Sequence, residues 1–295
     1  MTEPRLSVVV ASVNGFPYLG DCLDALTNTA SWAEIIVADS TDEATRARVR
    51  ESWPAARLLS FDTPTTIPEL RAAGIAAATA PHIALIEDHC VVRPGWAELI
   101  VRQHDEGHAV VGGPIHNAVD DRVRDWAAFF CEYSAYLEPG PSGPAPGLPG
   151  MNVSYDRTAI AAIADLLADG RWETWLHARL LERGFELWAD PALVIDHAKD
   201  FDLREFLSQR YHYSRSYAGM RNPDLGWKRA LYVLASPLLP PLLYARIAGN
   251  VLHAGGRALT LVAATPLVFL YLAVWTYGEA VGYTFGGGHS LLEVR

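Results

Sequence analysis

The chain has 295 residues, enough for one large domain or two ordinary ones. Apolar residues make up 50% and charged residues 20%, which excludes a disordered tail and a collagen-like or disulfide-dense scaffold. A formal charge of -10 argues against a nucleic-acid partner, and three dispersed cysteines, Cys22, Cys90 and Cys131, with no CxxC, indicate neither a disulfide framework nor a zinc ribbon.

Residues 6–11 (LSVVVA) form a continuous apolar, β-branched run, as expected of a strand covered on both faces. The run is too short for a secretory signal and is followed at once by polar Ser12 and Asn14. Residues 17–26 carry apolar side chains at 19, 22, 23 and 26, a helical spacing. Further strands are expected at 34–38, 57–61, 82–86 and 108–112, and further helices at 45–52, 67–79 and 96–104. This alternation predicts a parallel α/β sheet with right-handed crossovers. Residues 138–150, EPGPSGPAPGLPG, read as a loop. Ligands of such sheets sit beyond the carboxyl ends of the strands. Three strand ends here are polar, at 12–14, 39–42 and 87–89. Turn and cap chemistry is the plainer reading of each alone, and three together point to a polar cleft.

Composition changes near the C-terminus. Residues 230–285 hold three charged side chains, Arg246, Arg257 and Glu279. The 21 residues 258–278 carry none, long enough for a transmembrane helix that Pro266 would kink. The 16 residues 230–245 contain Pro237, Pro240 and Pro241, and suit a broken span, a re-entrant segment or an interfacial helix. Buried core helices are the alternative for both runs. The expected division is a front domain, 1–225, and a hydrophobic membrane-associated helical region, 226–295.

Five ordered pieces resemble the family 2 glycosyltransferases with the GT-A fold: VVVASVNGFPYLGDCLDAL, IIVADSTDEAT, IPELRAAGIAAATAPHIALIEDH, GLPGMNVSYDRTAI and RWETWLHARLLERG. The resemblance implies a Rossmann-like, mostly parallel sheet with flanking helices, followed here by C-terminal membrane helices. It implies a nucleotide-sugar site at Ser12, Asn14, Asp39, Asp42, Arg71, Glu87 and Asp88, with Asp39 on the base edge. The plainer reading of Asp39 is a helix N-cap. Where the family has aspartate, any residue, aspartate, this chain has Glu87, Asp88 and His89. A divalent cation, Mn²⁺ or Mg²⁺, is expected on Asp88, His89 and the late His197, the imidazoles favouring Mn²⁺.

The same resemblance assigns the general base to Glu173, with Asp169 and Asp156 as alternatives and Trp172 and Trp175 as a stacking wall for the sugar. On the acceptor or diphosphate side it suggests Gly150, Asn152, Arg210, His212 and Arg215. The glutamine-x-x-arginine-tryptophan signature of processive synthases is missing, which favours transfer of one sugar. The expected activity is inverting transfer from a nucleotide-diphosphate sugar to a hydroxyl of a lipid-linked or envelope glycan. The catalytic domain would be membrane-attached and face the cytoplasm. Two rivals stay open: a polyprenyl-phosphate glycosyltransferase, and a non-catalytic nucleotide-sugar-binding membrane protein.

Overall fold

The computed structural model describes residues 3–200 and 202–294. In chain order the strands are β1 Leu6–Ser12, β2 Glu34–Asp39, β3 Arg57–Ser60, β4 His82–Glu87, β5 Cys90–Val92, β6 Val110–Gly112, β7 Ile115–Asn117, β8 Gly143–Pro144, β9 Val153–Asp156, β10 Leu187–Ala189 and β11 Ile195–His197. The helices are α1 Tyr18–Thr29, α2 Glu43–Ser52, α3 Ile67–Ala77, α4 Trp96–Asp105, α5 Val123–Tyr133, α6 Arg157–Ala162, α7 Ala164–Ala168, α8 Glu173–Glu182, α9 Leu203–Leu225, α10 Arg229–Ala235, α11 Leu239–Ala254 and α12 Ala258–Phe285.

The chain folds as two compact units. One holds residues up to Ala118 together with Glu138–Lys199, and the other holds Val119–Leu137 and the residues from Asp200 onward. Residue 225, the boundary expected from composition, is the last residue of α9 inside the second unit.

The first unit is built on an eight-stranded sheet, ordered β3-β2-β1-β4-β9-β6-β10-β8. Strands β3, β2, β1 and β4 pair in parallel, with Ser12 opposite Asp39 and Asp39 opposite Ser60. Only β9 and β8 run against their neighbours. The sheet is therefore mixed, with most strands sharing one direction. β1 is buried along its whole length, as a run apolar but for Ser7 and Ser12 requires, and both serines hydrogen-bond, to Glu34 and Asp39. A second sheet, β5-β11-β7, carries His197 at the end of β11. The expected loop at 138–150 is irregular apart from the two-residue β8.

Local chemistry fixes the helices beside the strand ends. Thr66 and Glu69 form a reciprocal capping box at the start of α3, and Pro68 fits its first turn. The Asp42 carboxylate accepts from the Thr45 N–H at 2.7 Å, so α2 begins at Glu43, two residues before the expected start. Leu176 and Leu180 place α8 in the main core with Tyr155 and Val153. Each such burial stabilises by about 2 kcal/mol and so anchors Glu173 at the head of that helix.

The second unit is helical. Pro237 sits in a short 3₁₀ turn, and Pro240 and Pro241 occupy the first turn of α11, where a missing N–H costs nothing. α12 runs through Pro266 without interruption. Two described helical stretches, Leu203–Ala254 and Ala258–Phe285, are long and apolar enough to cross a membrane.

Candidate active site

The carboxyl ends of β1, β2 and β4 converge as expected, but their carboxylates are committed differently. Asp39 is fully buried. It accepts from Ser12 Oγ at 2.9 Å, Thr41 Oγ1 at 2.8 Å, the Thr41 N–H at 3.3 Å and Arg46 Nε at 3.0 Å. A carboxylate has about four acceptor positions, and these donors engage them. Asp39 is not the N-cap of α2, which is Asp42. Arg46 also reaches Asp62 at 2.6 Å and the Phe61 carbonyl at 2.6 Å, tying β2 to the chain after β3. Sequence reasoning missed Arg46, since a helical arginine beside Glu43 looks like surface.

Asp88 is the anchor of the first loop. Its Oδ2 accepts from the N–H groups of Val13, Asn14 and Gly15 at 2.9, 2.6 and 3.0 Å, and its Oδ1 from Asn14 Nδ2 at 2.8 Å. Gly15 turns there with φ +68°. Burial works to raise the Asp88 carboxyl, but the His89 hydrogen bond and charge, with Asn14, outweigh it and hold it below the usual range. The Asn14 amide oxygen in turn accepts from Lys199 Nζ at 2.7 Å, a contact across 185 residues that the sequence did not signal.

Glu87 and Glu173 meet through Arg71. Arg71 Nη2 donates to Glu87 at 2.6 Å, and Nη1 donates to Glu173. Arg71 leans in from α3, Glu87 closes β4 and Glu173 opens α8. Gly150 lies directly under the Glu173 carboxylate, where any Cβ would collide with it. These four expected site residues are thus brought together.

Other expected residues serve elsewhere. The Asn152 amide donates to the carbonyls of Pro114 at 3.1 Å and Leu193 at 2.7 Å and accepts from Trp96 at 3.0 Å, so it braces its loop. Trp172 is buried and forms no exposed wall. Asp156 caps α6 through the Ala159 N–H at 2.7 Å. Arg210, His212 and Arg215 belong to the second unit, where they engage Glu132, Ser290 and the Gly286 carbonyl.

The residues expected to hold a divalent ion do not fit one. Asp88 has spent its carboxylate on four N–H donors. His89 and His197 face each other edge to face with ring centroids 4.7 Å apart, and His89 Nε2 lies 3.4 Å from Glu87. Burial, then the charges of His89 and Lys199, push the His197 imidazole well below its ordinary value. Among the described residues no group of three His, Cys, Asp or Glu side chains is arranged to hold a metal.

A large central sheet of mostly parallel strands with flanking helices is the architecture of the GT-A fold. The glycosyl transferase family 2 model matches residues 7–160, and the chain belongs to that family. Mannosyltransferase PcManGT from Pyrobaculum calidifontis, in complex with GDP-Man and Mn²⁺, is similar at a TM-score of 0.55 and 16% identity, covering 96% of this chain and 86% of that one. S. aureus TarS 1–349 is similar at 0.51 and 12%, covering 94% and 90%. GalNAc-T7 with UDP, GalNAc and Mn²⁺ is similar at 0.52 and 12%, covering 68% and 45%. No curated protein matches the chain in sequence.

Proposed function

We propose that this chain is an inverting glycosyltransferase that moves one sugar from a nucleotide-diphosphate sugar to a hydroxyl, with Glu173 as general base. The observation that carries the reading is the Arg71 bridge between Glu87 and Glu173, 16 and 102 residues away in sequence. It supports a fixed carboxylate at the mouth of the strand-end cleft, resting on Gly150. In the reaction the acceptor oxygen attacks the anomeric carbon as the bond to the diphosphate breaks. Glu173 takes the hydroxyl proton, an effect of about 10²–10⁴ in rate. Arg71 keeps the carboxylate aimed and places a guanidinium beside the developing negative charge.

The complexes of PcManGT with GDP-Man and of GalNAc-T7 with UDP favour a nucleotide-sugar donor here. Both of those proteins were seen with Mn²⁺, yet the Asp88 commitments of this chain disfavour the ligand set expected for it. The apolar helices favour attachment to a membrane with a lipid-linked or envelope glycan as acceptor, the glycosyltransferase region facing the cytoplasm and the helical region from 226 onward at the membrane. Lys228 and Arg229 ahead of the apolar run suit that orientation.

Thermal-shift screening of the full chain against UDP-, GDP- and dTDP-sugars tests the donor, because a ligand of the folded state raises its stability with occupancy. Release of free nucleoside diphosphate by the same protein then separates a transferase from a mere binder. Stabilisation by no nucleotide sugar overturns the reading.

A further inference from the structure

We infer that the apolar helices lie in the plane of a membrane surface and do not cross it, with an anionic lipid surface as their partner. The inference rests on the membrane attachment proposed above and concerns its form.

By length alone α12 could span, since 28 residues rise about 42 Å at 1.5 Å each. Its surroundings say otherwise. One stripe of α12 is buried along the whole helix, through Leu261, Ala264, Val268, Tyr271, Gly278 and Tyr283. That stripe packs on α5 and α9, both of which carry charges. The Arg257 guanidinium sits 4.0 Å over the Trp126 ring of α5. Arg210 sits 4.2 Å over the Trp275 ring and pairs with Glu132 at 2.8 Å. One turn on, Gly278 and Gly282 bring the α12 backbone against Ser214 and Ala218, which a Cβ would prevent. Arg221 then donates to Tyr283 Oη at 2.8 Å, and Arg215 to the Gly286 carbonyl at 3.2 Å. A spanning α12 would carry these arginines into hydrocarbon with it, which is costly. Only 258–274 is clear of the α9 arginines, about 25 Å of helix against a core of about 30 Å.

The opposite side is what a lipid surface would contact. Leu234, Leu238, Leu242, Leu259, Val262 and Phe285 are exposed, Leu259 at 86%. Trp227 at 75% adds the aromatic anchor usual at a headgroup boundary. Between 226 and 285 the cations are Lys228, Arg229, Arg246 and Arg257, against a single acid, the buried Glu279. In a chain of net charge -10 that local excess complements anionic headgroups.

The test is sidedness on the full chain. Cys131 is replaced by serine, Cys22 and Cys90 being buried. Single cysteines then go in by Asp224→Cys, His253→Cys and His289→Cys, all at exposed positions. A membrane-impermeant maleimide should label all three from one and the same side. A hairpin of two spans puts His253→Cys on the far side, and a single spanning α12 puts His289→Cys there; either result overturns the inference while leaving membrane attachment intact. Recovery of the whole chain in the soluble fraction without detergent overturns both. In a second measurement the double variant Leu234→Glu, Leu259→Glu should lose at least about tenfold in binding to phosphatidylglycerol-containing vesicles, its circular dichroism unchanged. Undiminished binding removes this face as the lipid contact. Neither readout uses transfer activity, so the catalytic proposal stands or falls separately.

Discussion

The Arg71 guanidinium donates to the Glu173 carboxylate while its second terminal nitrogen holds Glu87 at 2.6 Å. One cation thus pairs with two carboxylates that are each nearly nine-tenths buried, and α3, β4 and α8 are tied together. Replacing Glu173 by glutamine keeps the shape and removes the proton acceptor. Glu173→Gln should leave donor binding nearly intact by thermal shift while transfer falls at least about a hundredfold. Near-normal turnover would move the base elsewhere and favour a phosphate acceptor, which needs no base.

Arg71→Gln strips the cation from both acids. Leaving buried carboxylates unpaired costs about 3–5 kcal/mol, read as a lower denaturation midpoint. Arg71→Lys should recover part of the loss, since a lysine supplies charge but no fork. In a double-mutant cycle with Glu173→Gln the two losses should be less than additive. Strict additivity would mean that the ion pair contributes nothing in solution.

Gly150→Ala places a methyl where the Glu173 carboxylate rests. The carboxylate must shift by about 1 Å, a misplacement that costs on the order of a hundredfold in rate. Stability should change far less than turnover, and donor binding should persist. An active Gly150→Ala enzyme would show that Glu173 acts from another position.

Asp88→Asn tests whether this residue anchors a loop or a metal. The variant swaps one carboxylate oxygen for an N–H donor, next to N–H groups that already need an acceptor. A destabilisation of about 1–3 kcal/mol follows. It should be equal with Mn²⁺ present and with excess chelator. A loss seen only when metal is added would make Asp88 a ligand after all.

His177 and His104 set a pH dependence. Burial, aided at His177 by the Arg71 charge and at His104 by the His82 charge, brings both down to about 4. Between the ordinary value of about 6.5 and about 4, the unfolded chain binds protons that the folded chain refuses. Stability is therefore complete above pH ~6.5 and declines as the pH falls through this window, by roughly 3 kcal/mol for each imidazole. Denaturant unfolding at pH 7 and pH 5 should show the decline, and His177→Gln should remove about half of it, the His104 share remaining. A flat wild-type profile would contradict the buried neutral state that its bonds to Tyr155 Oη at 2.9 Å and the Leu148 N–H at 3.4 Å imply.

The sequence by itself determined the parallel half of the sheet. Long apolar runs alternating with helical spacing leave few arrangements for β1 to β4, and polar residues follow at their carboxyl ends. It also placed the break before α11, because proline chemistry is local. Of the short later strands, two to four residues each, β6 was legible at 108–112 and β11 in the apolar run before His197, while β5, β7, β8, β9 and β10 escaped, since a period of two cannot show itself over so few positions. Tertiary structure alone decided what each acid does. Asp39, Asp88 and Glu173 look alike in one dimension, and only spatial neighbours settle which lone pairs are used: Arg46 and Ser12 for the first, the Val13–Gly15 amides for the second, Arg71 for the third. The same holds for α12. A helix apolar on every side gives no hint of which face is covered, so its arginine-lined stripe and its exposed leucines emerged only when α5 and α9 packed against it.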